Sequence, residues 1–274
     1  MVGGAGGLGL AITDDLLDND VRVAVVDRDP QATAALYGRN LSELIVITGD
    51  ARDVDVLTRL YGAVDERWGR LDTVVHCVGG TFRANFTDTT PKGWDTLLRT
   101  NLVHIMHSCS LAVPLIRRGG RGGSIVNLTT IEAHRAAPGF AVYSAAKAGL
   151  AHLARSLAVE LAPERIRVNN VAPDLTPTTP GGITTGDGRS AATTGTVGGM
   201  AVGLDPTAAG IAIPMGRTGV PSDVSGTVVF LASDLSRYVT GTTIHPDGGT
   251  WASSGWFNWP DHGFLPTIPP GVTA

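Results

Sequence analysis

Tyr143 and Lys147 stand four residues apart at the head of an apolar pattern, Leu150, Leu153, Leu157 and Leu161, that recurs at helical spacing. The two side chains therefore share one helix face, one turn from each other. A phenol that exchanges protons near neutral pH starts from an intrinsic pKa of about 10. An ammonium one turn away favours the phenolate and is expected to bring that value down. A lone Tyr/Lys pair at this spacing is also an ordinary surface pattern, so the remaining residues decide its meaning. A second stretch with chemical content is Gly3-Gly4-Ala5-Gly6-Gly7-Leu8-Gly9, which runs into the helical pattern Leu10, Ile12, Leu16 and Leu17. Glycines at 3, 7 and 9 let backbone amides approach a pyrophosphate, which the positive end of the following helix also favours. Asp27 closes the next apolar run eighteen residues after Gly9, a distance at which a carboxylate can bond the adenine ribose hydroxyls.

The elements that must position these residues alternate. Strands are expected at 21–26, 44–48, 73–78, 124–128, 166–172 and 242–245. Helices are expected at 30–40, 53–68, 91–116, 141–162 and 221–232. The run at 21–26 is almost wholly apolar, as in a parallel strand buried on both faces, and Pro91 sits at a favoured first helical position. Such alternation predicts a doubly wound parallel α/β sheet of Rossmann type in a single domain. A loop like 3–9 should follow a central strand, yet only Met1 and Val2 precede it. The first strand therefore reads as truncated, and loss of a central strand leaves two buried edges unpaired. On that ground the natural product is expected to start upstream.

The composition excludes several classes. A chain of 274 residues, 43% hydrophobic, can bury one sizeable core. A net charge of −4 gives no basic footprint for nucleic acid. Apolar runs fall short of a membrane span. Two cysteines, Cys77 and Cys109, in apolar surroundings argue against a disulfide framework and for a reducing cytoplasm. His104, His107 and Cys109 do not converge on one helix face, so no metal site is expected.

Taken together, Gly3-xxx-Gly7-x-Gly9, Asp27, Asp50, Gly79, Asn101, Tyr143-xxx-Lys147, Val168-Asn169 to Pro173, Pro214 to Arg217 and the stretch from Asp223 to Gly249 resemble the short-chain dehydrogenase/reductase family across about residues 2–250. The resemblance implies a nicotinamide-dependent oxidoreductase with Tyr143 as general acid/base. Lys147 would then lower its pKa and hold the nicotinamide ribose, and Asn101 would hold a relay water. Thr130 would stand thirteen residues before the tyrosine, where the family has serine. Its methyl stiffens χ1, so it polarises a substrate oxygen only from one rotamer.

Cofactor contacts implied by the resemblance fall on Gly3, Gly7, Leu8, Gly9, Asp27, Arg28, Asp50, Ala51, Cys77, Val78, Gly79, Tyr143, Lys147, Pro173, Thr176 and Thr178. The chain departs from the family's pattern at His76-Cys77-Val78, where asparagines are usual, at Val2, where threonine is, and at Asp174, where glycine is. Asp27 repels a 2′-phosphate and favours NAD over NADP. Arg28 is the counter-signal.

His134 and Arg135 follow Thr130 in a segment that lines the family's substrate cleft. They are either a solvated loop or an anion contact, since arginine binds carboxylates bidentately. Residues 176–213, rich in Thr, Gly, Ala and Pro, correspond to the family's substrate flap. The tail 251–274 carries Trp251, Trp256, Phe257, Trp259 and Phe264, aromatics expected to pack on the chain's own pocket or a neighbouring subunit. The family usually forms tetramers, so a homotetramer is expected. The leading reading is an NAD-dependent enzyme acting on a small-molecule secondary alcohol or diol and the matching ketone. The rivals are an NADPH-dependent 3-ketoacyl reductase and a nucleotide-binding pseudoenzyme.

Overall fold

The computed structural model describes residues 1–39, 42–178, 195–197, 200–202 and 206–272, with the backbone alone at 195–197 and 200–202. Most of the expected flap at 176–213 lies outside the described residues. The chain runs α1 (Gly7–Asp18), β1 (Val23–Asp27), α2 (Pro30–Tyr37), β2 (Leu44–Thr48), α3 (Val54–Trp68) and β3 (Thr73–His76). It continues through α4 (Pro91–Leu98), α5 (His104–Gly119), β4 (Gly123–Leu128), α6 (Ala141–Leu161) and β5 (Ile166–Val171). A short antiparallel pair follows, β6 (Gly195–Val197) and β7 (Met200–Val202), then α7 (Pro206–Ala212), α8 (Pro221–Ala232) and β8 (Thr243–Ile244). The chain closes with α9 (Thr250–Ser253) and the hairpin β9 (Phe257–Trp259) and β10 (Gly263–Leu265).

Local chemistry sets several helix ends. Asp29 caps α2 by accepting from the amides of Gln31 at 2.9 Å and Ala32 at 3.1 Å, with Pro30 entering the first turn. Gly69, at φ +64°, ends α3 in the left-handed conformation that costs other residues most. The helix expected over 91–116 is two helices separated by a π-helical segment, Arg99–Val103, with Asn101 inside it. Insertions of this kind interrupt the backbone ladder and are frequent at functional sites.

The main sheet is parallel throughout, with β1 beside β2 and β3-β4-β5-β8 in that order. Val2 joins the two parts, bridging Val26 of β1 and His76 of β3. Its amide donates to the Val75 carbonyl at 2.8 Å and its carbonyl accepts from Cys77 at 2.8 Å, while the Gly3 amide donates to Val26 at 2.8 Å. Met1 and Val2 thus occupy the expected central-strand position for two residues. Below them, the facing edges of β1 and β3 border a cavity of about 540 Å³ lined by Met1, Leu16, Leu60, Val64, Trp68 and Val74.

Strand alternation divides the core between the two sheet faces. Ala24, Val26, Val74, Ile125 and Val168 pack against α3, α5 and α6. Val23, Val25, Val75, Val126 and Val171 pack against α1, α2 and α8. Both layers leave the carboxyl ends of the strands open, where ligands bind in such sheets.

Candidate active site

The amino end of α1 is an anion cradle by construction. Its N-cap, Gly6, has no side-chain cap, and its first turn carries no acidic residue, so among the described residues no side chain caps the leading amides. Gly9 is forced by packing: a Cβ there would lie 1.8 Å from the Gly3 carbonyl oxygen. Gly6 is free for a different reason, since a Cβ would meet nothing within 4 Å and would project into the adjoining cavity. That cavity, about 340 Å³, is lined on one side by Gly3, Asp27, Arg28, Asp50 and Ala51, and on the other by Cys77, Val78 and Gly79. Eight of the residues singled out in the sequence therefore meet here.

Asp27 closes the cavity at the end of β1. One carboxylate oxygen accepts the Ala5 amide at 3.0 Å and the other the Asp29 amide at 3.3 Å, which fixes the group without a cation. Asp50 is held differently, by the Arg52 guanidinium at 2.5 Å, and that bond keeps its carboxyl below the usual range. Thr178 reaches the glycine loop, its Oγ1 lying 3.4 Å from the position of a Cβ on Gly7. Thr176 turns instead against Gly219, and Pro173 accepts the Ile131 amide at 3.3 Å. This shape and donor set fit a dinucleotide.

The Tyr143/Lys147 pair lies at the same edge of the sheet. Lys147 is buried, donating from Nζ to the Leu128 carbonyl at 2.8 Å, with Nζ 5.9 Å from the centre of the Tyr143 ring. A Cβ on Gly79 would sit 3.2 Å from both Lys147 Nζ and Asn101 Oδ1, so this glycine lets the cavity wall lie close against the two side chains. Asn101 is a clamp: Nδ2 donates to Gly80 at 2.8 Å and Leu97 at 2.9 Å, and Oδ1 accepts the Gly80 amide at 3.1 Å. The Leu97 carbonyl lies four residues back, in α4 just before the π-helical segment.

One expectation about this group is corrected. Burial pushes the Tyr143 phenol up to about 12, with the Glu132 charge adding to the rise and the bond to Thr130 opposing it. Lys147 does not reverse this, because its ammonium is turned to the Leu128 carbonyl; burial brings the lysine itself down to about 8. Desolvation is the largest cause at both groups.

On the substrate side, Thr130 is buried at the end of β4 and donates its hydroxyl proton to Glu132 Oε2. Arg135 does not stand free. It donates to Glu132 Oε1 at 3.0 Å and lies 3.5 Å from Asp174 Oδ1. His134 packs against His245 at 4.9 Å between ring centres, and Trp251 stacks on His245 at 5.9 Å. The tail thus touches this side through Trp251, but Trp251, Trp256, Phe257 and Phe264 are all left exposed. Glu132, which the sequence reading did not single out, joins Thr130 to Arg135; its signal was an acidic side chain two residues after the threonine. Among the described residues, no three His, Cys, Asp or Glu side chains are grouped to hold a metal.

The family model described as enoyl-(acyl carrier protein) reductase matches residues 3–250. A Caenorhabditis elegans protein named dehydrogenase/reductase SDR family member 4 is 31% identical, covering 90% of this chain and 92% of its own. The NADP-dependent (R)-specific alcohol dehydrogenase of Lentilactobacillus kefiri is 28% identical over 91% of this chain and 94% of that protein. A crystal structure of a short chain dehydrogenase from Bacillus anthracis superposes with a TM-score of 0.78 at 24% identity, covering 91% of this chain and 94% of that one, and shows the shared fold. With a dinucleotide cradle on one side of Gly79 and a buried lysine beneath a tyrosine on the other, the chain belongs to the short-chain dehydrogenase/reductase family of oxidoreductases.

Proposed function

We propose that the protein is an NAD-dependent oxidoreductase that interconverts a neutral secondary alcohol or diol and its ketone, with Tyr143 as the acid/base. The observation that carries this reading is the grouping of Tyr143 with Thr130 and Lys147, next to Gly79, which lines the cavity and lies against Lys147 and Asn101. The nicotinamide, when bound, supplies or accepts the hydride. Tyr143 exchanges the proton at its phenolic oxygen, Lys147 holds a cation behind the Gly79 wall of the cavity, and Asn101 fixes the Gly80 backbone that also lines it. Arg135 faces two carboxylates already, which favours a neutral substrate over an acidic one. The alcohol dehydrogenase activity named for the Lentilactobacillus relative supports the alcohol reading, while its NADP dependence contrasts with Asp27 here.

The test is a panel of secondary alcohols with NAD and of ketones with NADH, followed by nicotinamide absorbance. Tyr143→Phe is expected to lower turnover by about 10²–10⁴-fold, the usual yield of positioned acid/base transfer, while NADH still binds by fluorescence. Undiminished turnover in that variant refutes the assignment. Arg28 on the cavity wall favours one alternative, an NADPH-dependent 3-ketoacyl reductase, which the same assay distinguishes with NADPH and a 3-ketoacyl thioester.

A cytoplasmic homotetramer completes the proposal. Its supports are two cysteines present as free thiols, the absence among the described residues of a helix able to cross a membrane, and outward apolar side chains on α5 and α6, Met106 and Val159. Sedimentation velocity tests the oligomer.

A further inference from the structure

The cavity below Val2 is a gap in the sheet, and its walls are unfinished strands. Val2 bonds β1 on one side and β3 on the other, so the walls stand two strand spacings apart, about 10 Å. Backbone groups point alternately to the two sides of a strand. On β1 the Val23 amide donates to Glu43 toward β2, whereas the Ala24 carbonyl and the Val26 amide bond Met1. On the β3 side the Asp72 carbonyl accepts from Ser124 of β4, whereas the Val75 carbonyl and the Cys77 amide bond Val2. By that alternation the Arg22 carbonyl and Ala24 amide face the gap from one wall, and the Thr73 carbonyl and Val75 amide from the other. No bond among the described residues reaches these four groups. Ala24 and Val75 are buried, where an unmet backbone group is costly.

The top of the gap carries a charge. The Met1 ammonium is buried there and donates to the Ala24 carbonyl at 2.6 Å, which uses one of its three protons. Burial brings this amine down from 8.0 to about 6, and no carboxylate stands beside it to oppose that fall. Both faces of the gap are apolar, with Leu60, Val64 and Trp68 on one and Leu16 and Val229 on the other. The opposite end opens to solvent at the exposed Asp20, Arg22 and Asp72.

We propose that this gap is a binding site for an extended apolar peptide with a free carboxyl terminus, which enters as a parallel strand between β1 and β3 and ends at the Met1 ammonium. Val21 to Ala24 and Leu71 to Val75 line the walls, the reach of about four residues at about 3.3 Å each. In this register the last peptide residue donates to the Thr73 carbonyl and gives its carboxylate to the Val75 amide and the Met1 ammonium. The residue before it donates to the Arg22 carbonyl and accepts from the Ala24 amide. Successive side chains fall on opposite faces, both apolar, so small aliphatic residues suit every position. A fatty acid shares the apolar chain and the carboxylate but has no donor for the Arg22 and Thr73 carbonyls, which favours the peptide.

The probe is acetyl-Lys-Lys-Val-Ala-Val-Val with a free carboxyl terminus, titrated into the intact protein by calorimetry and followed by NMR amide exchange. Excess peptide is expected to raise Tm and to slow exchange at the Ala24 and Val75 amides by about tenfold or more. Converting the peptide's carboxyl terminus to an amide should weaken binding by about tenfold, the scale of one net hydrogen bond. N-methylating its last residue, which removes the donor to Thr73, should cost about the same. Val64→Phe, which fills the gap from the protein side, should weaken the peptide by a similar factor. The two peptide changes leave the protein untouched, so the test does not depend on that variant folding. Decanoate is the probe for the other ligand class. Unchanged exchange at Ala24 and Val75, equal affinity of the N-methylated peptide, or decanoate binding as tightly as the peptide overturns the proposal.

Discussion

His76 carries a prediction that can be worked through from one ring. It lies at the end of β3, fully buried, in the place where this family's pattern has asparagine. Its Nδ1 is 2.8 Å from Asn127 Oδ1 and its Nε2 is 2.7 Å from Ser108 Oγ, which Tyr61 reaches at 2.5 Å. Asn127 in turn donates to Asn170 at 3.2 Å, and Asn170 to Thr243 at 3.3 Å. A neutral ring with the proton on Nδ1 satisfies every member of this chain. A second proton would charge a ring with no anion beside it, and burial accordingly brings its pKa down from 6.5 to about 3. Because the folded value lies below the unfolded one, the unfolded chain takes up the proton first. The stability held above pH 6.5 is therefore lost as pH falls toward about 3, at about 1.4 kcal/mol per unit once the unfolded histidine is charged. Between pH 7.5 and 4.5 the loss from this ring comes to about 3 kcal/mol.

The comparison is with His76→Asn, which cannot titrate. Burial also depresses His104, to about 4, but that drift is common to both proteins and cancels in the difference. Urea unfolding followed by tryptophan fluorescence at several pH values should show the variant less stable at pH 7.5. The cost there is about 1–3 kcal/mol from a polar partner left unsatisfied. The gap should then narrow by about 3 kcal/mol on going to pH 4.5. Parallel stability curves would mean that the ring is charged or hydrated in the folded protein, and the reasoning fails.

Two further predictions concern the cofactor cradle. Asp27→Ser keeps an acceptor for the Ala5 amide but removes the charge facing a 2′-phosphate, so the NADP-to-NAD ratio of kcat/KM should rise by about one to two powers of ten; an unmoved ratio refutes Asp27 as the discriminator. Gly9→Ala drives a Cβ into the Gly3 carbonyl and should lower both Tm and NADH affinity. Gly6→Ala has open space around its Cβ, so it should weaken NADH binding while leaving Tm within about 2 °C, the mark of a surface change. Equal Tm losses in the two variants would show that Gly6 is structural.

What the sequence made legible is what local pattern dictates. The apolar run ending in Asp27 could only be a buried strand, and the Tyr143/Lys147 spacing could only share a helix face. Their placement at one cavity follows from a parallel sheet, whose strands all end on the same side. The π-helical segment at Asn101 was not legible, because the apolar periodicity runs past it and the backbone insertion shows only in the Leu97 and Gly80 contacts. The direction of the Tyr143 shift was not legible either. Spacing places an ammonium near a phenol, but the loss of water around the ring outweighs that neighbour, and it depends on packing from several elements.

The two-residue central strand shows the same limit from the other side. Loss of paired edges was the reasonable expectation from sequence, yet Val2 and Gly3 bond both neighbours at the level where β1 and β3 deliver Asp27 and Cys77. The cavity between those strands lies farther down, among Leu16, Leu60, Val64 and Trp68, away from the cofactor wall. Whatever that cavity costs the sheet in stability, the backbone bonds nearest the glycine loop are made, and those are the ones that set the geometry of the site.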